Sequence, residues 1–500
     1  MLNISNTICA PATSVGTGAI SIIRVSGPDA LALTDRVVRF RSGNASSASG
    51  YSLKFGTVVG VDDVLVSIFR APHSYTGEDS VEISCHASPY IVERILQLLT
   101  EAGAVPAEPG EFTRRAFANG KMDLSQAEAV ADLIASSSEA SHRVAMHQLR
   151  GGISAELQQL RSQLVDITSL MELELDFSEE EVEFADRNQL ISLLDSALSQ
   201  LKRLTDSFRL GNAIRRGVPV AIVGAANTGK STLLNSLLGE DRAIVSPVAG
   251  TTRDTVEEVF NIDGIAFRLI DTAGIRETSD SVETIGIERT FEKLMMADSV
   301  IAVFDVNSPA AKLSSEFRDI LSRVNLRTQQ LVVVLNKCDL LDGFEDLVKA
   351  CPDESVSPEI WTGLSDSKNS KKPVILAVNK IVTDFNNIVS LADNKINIIP
   401  IAAKASWNVS SLKNSLSERQ KSRIADSGTA TLVSNARHFN ALSAASRALS
   451  LARSGILSRT PSDLVSQDLR EALYHLGTIT GEITTDEVLG NIFRKFCIGK

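Results

Sequence analysis

The residues with the clearest chemical pattern are GAANTGKS at 224–231, which fit the spacing G-x-x-x-x-G-K-[ST] of a phosphate-binding loop. The apolar run VPVAIV precedes them and STLLNSLLG follows, so a strand leads into the loop and a helix leads out. The loop amides and the helix N-terminus then point at phosphate oxygens. In that arrangement Lys230 would contact the β and γ phosphates, and the Ser231 hydroxyl would bind Mg²⁺. The pattern predicts a nucleoside-triphosphate site.

Two further motifs follow in the order that such a site requires. AGTTRD at 249–254 supplies Thr252, which would close over the γ-phosphate and Mg²⁺. DTAG at 271–274 ends the apolar run FRLI. Asp271 would hold the metal through water, and the Gly274 amide would sense the γ-phosphate.

NKCD at 336–339 ends the run LVVVL and predicts selectivity for guanine. The Asp339 carboxylate can accept hydrogen bonds from guanine N1–H and N2–H₂, whereas adenine offers neither donor and would leave the carboxylate unpaired. The sequence therefore predicts GTP as the ligand. The predicted GTP contacts are Asn227, Thr228, Gly229, Lys230, Ser231, Thr232, Ser246, Pro247, Val248, Ala249, Gly250, Thr251, Thr252, Asp271, Thr272, Ala273, Gly274, Asn336, Lys337, Cys338 and Asp339.

A second Asn-Lys pair, in VILAVNKIVTD at 374–384, is a competing candidate for the base-binding loop. Val382 stands where the aspartate should be, so the chemistry favours NKCD. However, the interval from NKCD to AAK at 402–404, a candidate loop behind the base, is longer than one helix and one strand need. We therefore expect an insertion at 345–373. In the alternative assignment, Asn379 would bind the base.

Two residues make the expected hydrolysis chemistry unusual. Ile275 follows DTAG, where a small Ras-like GTPase has a glutamine that orients water, so another group must take that role. The phosphate loop also contains no arginine that could stabilise the transition state. Asn227 stands there instead, and its side-chain oxygen suits a monovalent cation that would supply the positive charge.

Length and proline spacing predict how these motifs are distributed among domains. A chain of 500 residues exceeds a single core. Prolines are absent between Pro109 and Pro219, where runs such as AELQQLRSQLVDITSLMELEL at 155–175 have helical spacing. Short apolar runs then alternate with helical segments, which is typical of an α/β nucleotide-binding domain. We predict an α+β N-terminal domain (1–118), a discontinuous α-helical domain (119–215 and 425–500) and an inserted α/β P-loop GTPase domain (216–424).

Composition and charge exclude several other classes of protein. A net charge of −11 argues against nonspecific coating of nucleic acid. The five cysteines form no CxxC pair or Cys/His ligand array, which indicates a reduced, cytoplasmic setting without structural zinc. The first positive charge is Arg24, so we expect no secretory or transit signal, and no apolar run is long enough to predict a membrane span.

The segment FCIGK (residues 496–500) places a rare cysteine near the last residue. It could be a frayed end, a C-a-a-X lipidation signal or a chemical group delivered into a site. Lys500 is a poor X residue, and no polybasic stretch precedes it, which argues against lipidation. Apolar residues at helical spacing in VLGNIFRKF predict that the segment docks instead of fraying.

Long motifs in order along nearly the whole chain resemble the MnmE (TrmE) family of tRNA uridine-modifying GTPases. The motifs that carry the resemblance are TGAISIIRVSGPDA, YTGEDSVEISCH, PGEFTRRAFANGKMDLSQAEAVADLI, AGTTRDT, DTAGIRETSDSVETIGIERT and FCIGK. Ala226 stands where the family has proline, and AAK replaces its SAK-like loop. The resemblance implies an N-terminal folate-binding dimerisation domain, a split helical domain and an inserted GTPase domain.

The resemblance also implies a homodimer whose GTPase domains associate in a potassium-dependent manner. Glu283 in DSVETIG would organise the attacking water. The implied metal ligands are Ser231 and Thr252 for Mg²⁺, and Asn227, Ser246, Val248 and Thr251 for K⁺. From the residue type alone, Glu283 would be an ordinary solvated charge.

The function that the resemblance implies is a step in tRNA modification. With an FAD-dependent partner, MnmG (GidA), in a heterotetramer, such proteins form the aminomethyl or carboxymethylaminomethyl group at C5 of the wobble uridine (position 34). The one-carbon donor would be 5-formyltetrahydrofolate or a related tetrahydrofolate. The implied folate contacts are Arg24, Glu82, Lys121 and Lys500, and Cys497 is a candidate nucleophile or redox group. Residue type alone would instead make Arg24 an ordinary ion-pair partner.

A competing hypothesis is a regulatory or ribosome-assembly GTPase switch without modification chemistry. It would use the same GTPase domain but predicts neither folate binding nor a role for FCIGK. A folate-dependent transferase with a purely structural GTPase domain is a third possibility, which potassium-stimulated GTP turnover would exclude.

Overall fold

The computed structural model describes residues 5–14, 16–176, 187–241, 258–270, 294–341, 344, 381, 383, 385, 396–427, 431–494 and 496–499. The strands are β1 Ile8–Pro11, β2 Ile20–Ser26, β3 Arg39–Phe40, β4 Ser52–Val58, β5 Asp62–Phe69, β6 Ser80–His86, β7 Val105–Pro106, β8 Val218–Val223, β9 Val259–Ile262, β10 Ile265–Leu269, β11 Ser299–Asp305, β12 Gln330–Asn336 and β13 Asn397–Pro400. The helices are α1 Ala30–Val37, α2 Pro89–Ala102, α3 Glu111–Ala118, α4 Leu124–Ala135, α5 Glu139–Leu149, α6 Gly152–Asp176, α7 Arg187–Asp206, α8 Phe208–Arg216, α9 Lys230–Asp241, α10 Ala310–Leu321, α11 Val409–Ser427, α12 Ala436–Leu457, α13 Ser462–Thr480 and α14 Asp486–Phe493.

The chain folds into two compact units, each assembled from separate stretches of sequence. Unit 1 contains Met1–Ile134, Ala145–Thr205 and Arg437–Lys500, and unit 2 contains Ala135–Val144 and Asp206–Ala436. Unit 1 therefore combines the predicted N-terminal domain with most of the predicted helical domain, whereas residues 135–144, 206–215 and 425–436 of the latter fall in unit 2. The boundaries of the three domains stay a prediction.

The sheet of unit 1 has the order β3-β4-β5-β6-β2-β1-β7, and its pairs are antiparallel apart from β1 with β7. Helices α1 and α2 pack on this sheet around a core that includes Ile23, Val66, Ile83 and Leu99. Burial alternates along β5, which is typical of an antiparallel sheet with only one face covered.

The helical part of unit 1 joins segments from both ends of the chain. Helix α6 packs along α13, although more than 280 residues separate their sequences. The apolar positions that predict α6 are all buried: Leu157, Leu160, Leu164, Ile167 and Met171. The expected pairing of two distant helical blocks is present in this contact.

The sheet of unit 2 has the order β13-β12-β11-β8-β10-β9, in which only the pair of β9 with β10 is antiparallel. Strand β12 is buried along its whole length and β11 at all but its last residue, which explains why they are continuous apolar runs without alternation. Ile381, in the second Asn-Lys run, and Phe385, just after that run, are buried in the same core, where the Phe385 ring stacks on Phe317 at 4.2 Å.

Candidate functional site

The phosphate-loop motif lies at the carboxyl end of β8, between that strand and α9. Strand β8 is flanked by β10 on one side and β11 on the other, so the strand order reverses at this point. In open α/β sheets, ligands bind in the crevice outside such a reversal. The motif therefore stands where the topology places a nucleotide.

The backbone of the loop adopts conformations that its sequence permits. Asn227 is left-handed with φ +62°, and Gly229 has φ +94°. A Cβ atom at Gly229 would lie 2.2 Å from the Asn336 side-chain nitrogen. The second glycine of the motif is thus required both by its φ value and by the close approach of Asn336.

The Lys230 ammonium is held inside the loop. Its Nζ donates hydrogen bonds to the carbonyls of Gly224 at 2.9 Å and Ala225 at 2.7 Å, and burial lowers its pKa. Thr228 Oγ1 closes the same turn by donating to Ala225 O at 3.0 Å. The next two predicted contacts, Ser231 and Thr232, are exposed in the first turn of α9. A cation and a helix N-terminus therefore face the space that a phosphate would occupy.

The Asn336 side chain connects the phosphate loop with NKCD and AAK, the two loops that the sequence predicts to lie at the base. Asn336 Nδ2 donates to Thr228 O at 2.9 Å, and Asn336 Oδ1 accepts from Ala403 N at 3.0 Å. Lys337, at φ +67°, forms an ion pair with Asp305 across 2.7 Å. The structure thus places NKCD beside AAK, at the carboxyl ends of neighbouring parallel strands β12 and β13.

The remaining two residues of NKCD have different environments. The Cys338 side chain is buried, its backbone N–H donates to Ile401 O at 3.2 Å, and burial raises its thiol pKa to about 12. Asp339 is half-buried in the short 3₁₀ turn that follows. Cys338 therefore packs the loop, while Asp339 remains partly accessible to a ligand.

Several residues singled out in the sequence lie outside the described residues. They are Ser246 to Thr252, Asp271 to Ile275, Glu283, Asn379, Val382 and Lys500, together with the expected insertion at 345–373. Of the predicted metal ligands, the structure therefore describes only Ser231 for Mg²⁺ and Asn227 for K⁺.

A second cluster of functional residues lies in unit 1 and is centred on Arg24, in β2. Its guanidinium donates to Glu82 Oε1 from Nε at 3.0 Å and from Nη2 at 2.8 Å, across the directly paired strands β2 and β6. The guanidinium also lies over the rings of Tyr75 (5.2 Å) and Phe112 (5.6 Å). We call Arg24, Glu82, Tyr75 and Phe112 the Arg24 cluster.

The described part of the FCIGK segment, residues 496–499, docks at the Arg24 cluster. Gly110 N donates to Cys497 O at 3.4 Å, and Arg24 Nη1 donates to Gly499 O at 3.5 Å. Gly499 has φ +94°, and a Cβ atom there would lie 2.0 Å from Pro11 O. The docking expected from the sequence is present, although α14 ends at Phe493 and Phe496 packs beyond the helix.

Lys121 joins this region through the loop between β5 and β6. Its Nζ donates to Pro72 O at 2.9 Å, and Tyr75 in the same loop bonds through its hydroxyl to Thr113 Oγ1 at 2.8 Å. The Lys121 side chain is exposed. Of the residues with implied folate contacts, Arg24 and Glu82 touch directly, and Lys121 contacts the loop that carries their aromatic neighbour.

Sequence reasoning missed the buried arginine that holds this region together. Arg115, with a side chain 1% exposed, bonds to Glu111 Oε1 at 2.9 Å, Glu78 Oε1 at 3.2 Å and Asn6 Oδ1 at 2.7 Å. It fixes α3 to the loop that carries Tyr75. The available signal was its place in PGEFTRRAF, three residues after Phe112, but nothing local distinguished it from Arg114.

The described cysteines divide into buried and exposed thiols. Burial raises the pKa of Cys9 and of Cys85 to about 11, whereas Cys497 is exposed beside the Arg24 cluster. Thiolates react and thiols do not, so burial makes the first two inert at neutral pH.

A phosphate loop at the sheet reversal, with an Asn-Lys-x-Asp loop two strands away, defines the class of P-loop GTPases. The family model of the MnmE helical domain matches residues 124–497, and that of the GTP-binding protein TrmE N-terminus matches residues 7–121. The chain belongs to the MnmE family of tRNA modification GTPases. This confirms the resemblance and the three-part fold class.

Curated relatives match along their full length. The tRNA modification GTPase MnmE of Parabacteroides distasonis is 46% identical over 503 residues, covering 99% of this chain and 100% of the relative. That of Bacteroides thetaiotaomicron is 46% identical over 506 residues, covering 99% of each chain. That of Flavobacterium johnsoniae is 45% identical over 508 residues, covering 100% of each chain.

Proposed function

We propose that the chain is a K⁺-dependent GTPase that acts with an FAD-dependent partner, MnmG (GidA). Together they would form the aminomethyl or carboxymethylaminomethyl group at C5 of the wobble uridine of certain tRNAs. The observation that carries this proposal is the docking of FCIGK at the Arg24 cluster in a chain that also bears a phosphate loop. A switch without modification chemistry has no use for that arrangement.

The Arg24 cluster fits a tetrahydrofolate such as 5-formyltetrahydrofolate. Folate carries carboxylates, which pair with guanidinium, and a pterin ring whose paired N–H donors suit a carboxylate such as Glu82. The rings of Tyr75 and Phe112 provide flat apolar surface beside those charges. When bound, the folate supplies the one-carbon unit. Arg24, Glu82, Lys121 and Lys500 would orient it, with the Cys497 thiol close by.

The loops of unit 2 fit GTP. Lys230 and the first turn of α9 would bind the phosphates, and Asn336 would keep the base loops in register with the phosphate loop. Asp339 would accept from guanine, as the choice of NKCD over the second Asn-Lys pair requires. Ser231 and Thr252 would hold Mg²⁺.

Potassium dependence rests on Asn227. Its left-handed backbone stands within the phosphate loop, where its side-chain oxygen can contribute to a cation site with Ser246, Val248 and Thr251. The cation would supply the positive charge that an arginine supplies in other GTPases. Glu283 would orient the attacking water.

A homodimer through unit 1 is supported by the uncovered face of its sheet. Large apolar side chains on β2, β4 and β5 are exposed there, and Phe55 pairs directly with Leu65. The exposed fractions are Ile20 67%, Leu53 62%, Phe55 44% and Leu65 45%. A second copy would bury this face, and the dimer would assemble with two partner subunits into a heterotetramer.

Placement in the cytoplasm and the three domain boundaries are part of the same proposal. No helix among the described ranges is long and apolar enough to cross a bilayer. The GTPase domain would comprise 216–424, inserted between 119–215 and 425–500, and 1–118 would bind folate.

The proposal is tested by measuring GTP hydrolysis in K⁺ and in Na⁺ for the wild type and for Glu283→Ala. We expect turnover to be stimulated by K⁺ and lost in the variant, by about 100-fold or more. In a deletion strain, nucleoside mass spectrometry should show loss of C5-modified wobble uridine. Equal rates in both salts would contradict the cation mechanism. Normal modification without the gene, together with no binding of 5-formyltetrahydrofolate, would favour the regulatory switch.

A further inference from the structure

Unit 2 has a cluster of arginines at the edge of its sheet where β8, β11 and β12 begin, which we call the basal edge. Asp298 comes directly before β11 and is 2% exposed. Its carboxylate accepts from Arg423 Nη1 at 2.7 Å and from Gln420 Nε2 at 2.9 Å. Arg209 of α8 forms an ion pair with the same carboxylate at 3.0 Å. Two arginines and one amide therefore share this single buried acid.

A third arginine of the basal edge, Arg419 in α11, is not paired in this way. Its side chain is half-buried, and within the part of the chain that the structure describes it forms no hydrogen bond or ion pair. Burial lowers the pKa of Arg419, the charge of Asp298 raises it, and the like charges of Arg423 and Arg209 lower it further. A guanidinium with five N–H donors in such surroundings would be stabilised by an added anion. We call Arg209, Arg419 and Arg423 the basal arginines.

Arg419 lines a cleft of about 260 Å³ between α11 and the first residues of β12 and β13. One water takes up about 30 Å³, so a phosphate group fits. Two amides in the cleft wall are already used within the protein, because Gln330 Nε2 donates to Ser415 O at 2.7 Å and Asn397 Nδ2 donates to Ser415 Oγ at 2.8 Å. Among the lining residues that the structure describes, the charges are those of Arg419 and of the exposed Glu418.

The two helices that carry the basal arginines are basic, whereas the chain as a whole is acidic. Helix α8 has three arginines and no acidic residue, and α11 has four basic residues and two acidic ones, in a chain with a net charge of −11. The side chains of Arg209 and Lys421 are 46% and 52% exposed. Positive charge is thus concentrated on one surface and reaches the solvent, which is the arrangement that attracts a polyanion.

The basal edge is separate from the nucleotide site. The basal arginines surround a residue that precedes β11, whereas the phosphate loop follows the last residue of β8. Strand β8 spans six residues, so the two edges of the sheet are about 20 Å apart. A ligand at the basal arginines can therefore bind at the same time as GTP.

We propose that the basal arginines bind the phosphate backbone of an RNA, with Arg419 as the arginine whose donors are unused. Guanidinium and phosphate oxygens pair through charge-assisted hydrogen bonds. An RNA fits better than a free phosphate because basic residues on α8 and α11 extend beyond the cleft, so that several phosphates of one chain can be neutralised together. The inference rests on the proposed function, in which a tRNA is the substrate, and it assigns to that RNA a surface on unit 2.

The test measures binding of a fluorescently labelled tRNA transcript to the full-length protein by anisotropy, in about 50 to 200 mM NaCl and with saturating GDP. GDP fills the phosphate loop, which then cannot bind a phosphate of the RNA. Arg419→Gln should weaken binding about three- to tenfold and reduce the slope of log affinity against log salt concentration by about one. Arg419→Lys retains the charge and should keep the wild-type slope.

Two further variants are matched controls. Lys312→Gln removes an exposed cation from α10, which follows the opposite end of β11, and affinity should stay within about twofold of wild type with an unchanged slope. Glu418→Gln removes the carboxylate beside Arg419 and should strengthen binding about two- to threefold, because that carboxylate repels phosphate. Opposite effects at two adjacent positions would not arise from loss of folding. Calorimetry with GDP checks that unit 2 is folded in each variant.

Three results would overturn the inference: no binding of the transcript by the wild type, a wild-type slope in Arg419→Gln, or an equal loss of slope in Lys312→Gln. Calorimetry with inorganic phosphate examines the other source of the anion. Phosphate binding that Arg419→Gln abolishes, with tRNA affinity unchanged, would contradict the assignment to RNA. K⁺-stimulated hydrolysis and wobble-uridine modification are measured separately, and their absence together with an intact slope effect would contradict the proposed function alone.

Discussion

The two candidate sites of this chain are built in opposite ways. The phosphate loop takes its geometry from eight consecutive residues, which run from the end of β8 into the first turn of α9, and Asn336 adds one long-range contact. The Arg24 cluster is assembled from positions 24, 75, 82 and 112, and FCIGK from the far end of the chain completes it. The first site is formed by the backbone of one short segment, whereas the second forms only when residues distant in sequence come together in the folded chain.

This difference decides which kinds of change each site tolerates. A loop whose backbone amides bind the ligand is damaged by any residue that cannot adopt its φ and ψ values. A cluster assembled from distant segments is damaged by anything that displaces one segment, including changes far from the ligand. Matched glycine substitutions in the two units can separate these cases.

The largest effect should come from Gly229→Ala in the phosphate loop. The new Cβ would lie 2.2 Å from Asn336 Nδ2, at φ +94°. Left-handed strain and overpacking together cost about 4 kcal/mol, so GTP affinity should fall about 1000-fold. Isothermal titration calorimetry with GDP and a GTP analogue measures it.

Gly239→Ala is the control for that change. It lies on α9, and nothing lies within 4 Å of its added Cβ, so nucleotide binding should be unchanged. Folate binding should be unaffected in both variants. A loss of folate binding in Gly229→Ala would show that the structure of the Arg24 cluster depends on that of the phosphate loop.

An intermediate effect is expected from acid, and it should fall on unit 1. Burial raises the pKa of Glu128, but hydrogen bonds and charge from His438 and Arg437 together lower it from 4.5 to about 2. The depressed folded-state pKa contributes stability that is fully present above about pH 4.5 and is lost as pH falls towards 2. The size is about 3 kcal/mol.

Hydrogen exchange across this pH range locates the loss. Protection should fall first in peptides from α4 and α12, and Glu128→Gln should remove most of the pH dependence there. Peptides from the β11–β12 core of unit 2 provide the internal reference. Equal loss of protection in both units between pH 4.5 and pH 2, unchanged by Glu128→Gln, would contradict the assignment.

The same distinction explains what could be predicted from the sequence. The five mutually parallel strands of unit 2 and the apolar face of α6 follow from continuous runs and helical spacing, and the structure confirms both. The short strands β3 and β7 have only two residues each, too few to form a pattern. Their positions depend on neighbours that are remote in sequence.

The candidate sites divide in the same way. GAANTGKS can be recognised from the sequence alone, because the spacing of its glycines and Lys230 determines the backbone conformation of the loop. Arg24 cannot, since an arginine in a strand usually has an ordinary ion pair, and it does form one with Glu82. Only the resemblance distinguished it. Neither the residue patterns nor the resemblance pointed to Arg115 or to the buried cluster of Glu128, Arg437 and His438, because both consist of common residue types in contacts between distant segments.

The smallest of the three effects should come from Gly499→Ala, which tests the assembled site. Its Cβ would lie 2.0 Å from Pro11 O, but the segment that follows α14 can relieve this clash by moving away from β1. The loss of binding free energy is then limited to the contacts of the segment, about 2 kcal/mol, or about 30-fold in affinity for 5-formyltetrahydrofolate.

Gly490→Ala is the control. It lies on α14 with nothing within 4 Å of its Cβ, and it should retain wild-type affinity. Equilibrium dialysis measures both variants, and GTP turnover in K⁺ should be equal in the two. If Gly499→Ala bound folate normally, the docked segment would have no part in the folate site. The Arg24 cluster would then not be a site that distant segments must assemble, and its contrast with the phosphate loop would be lost.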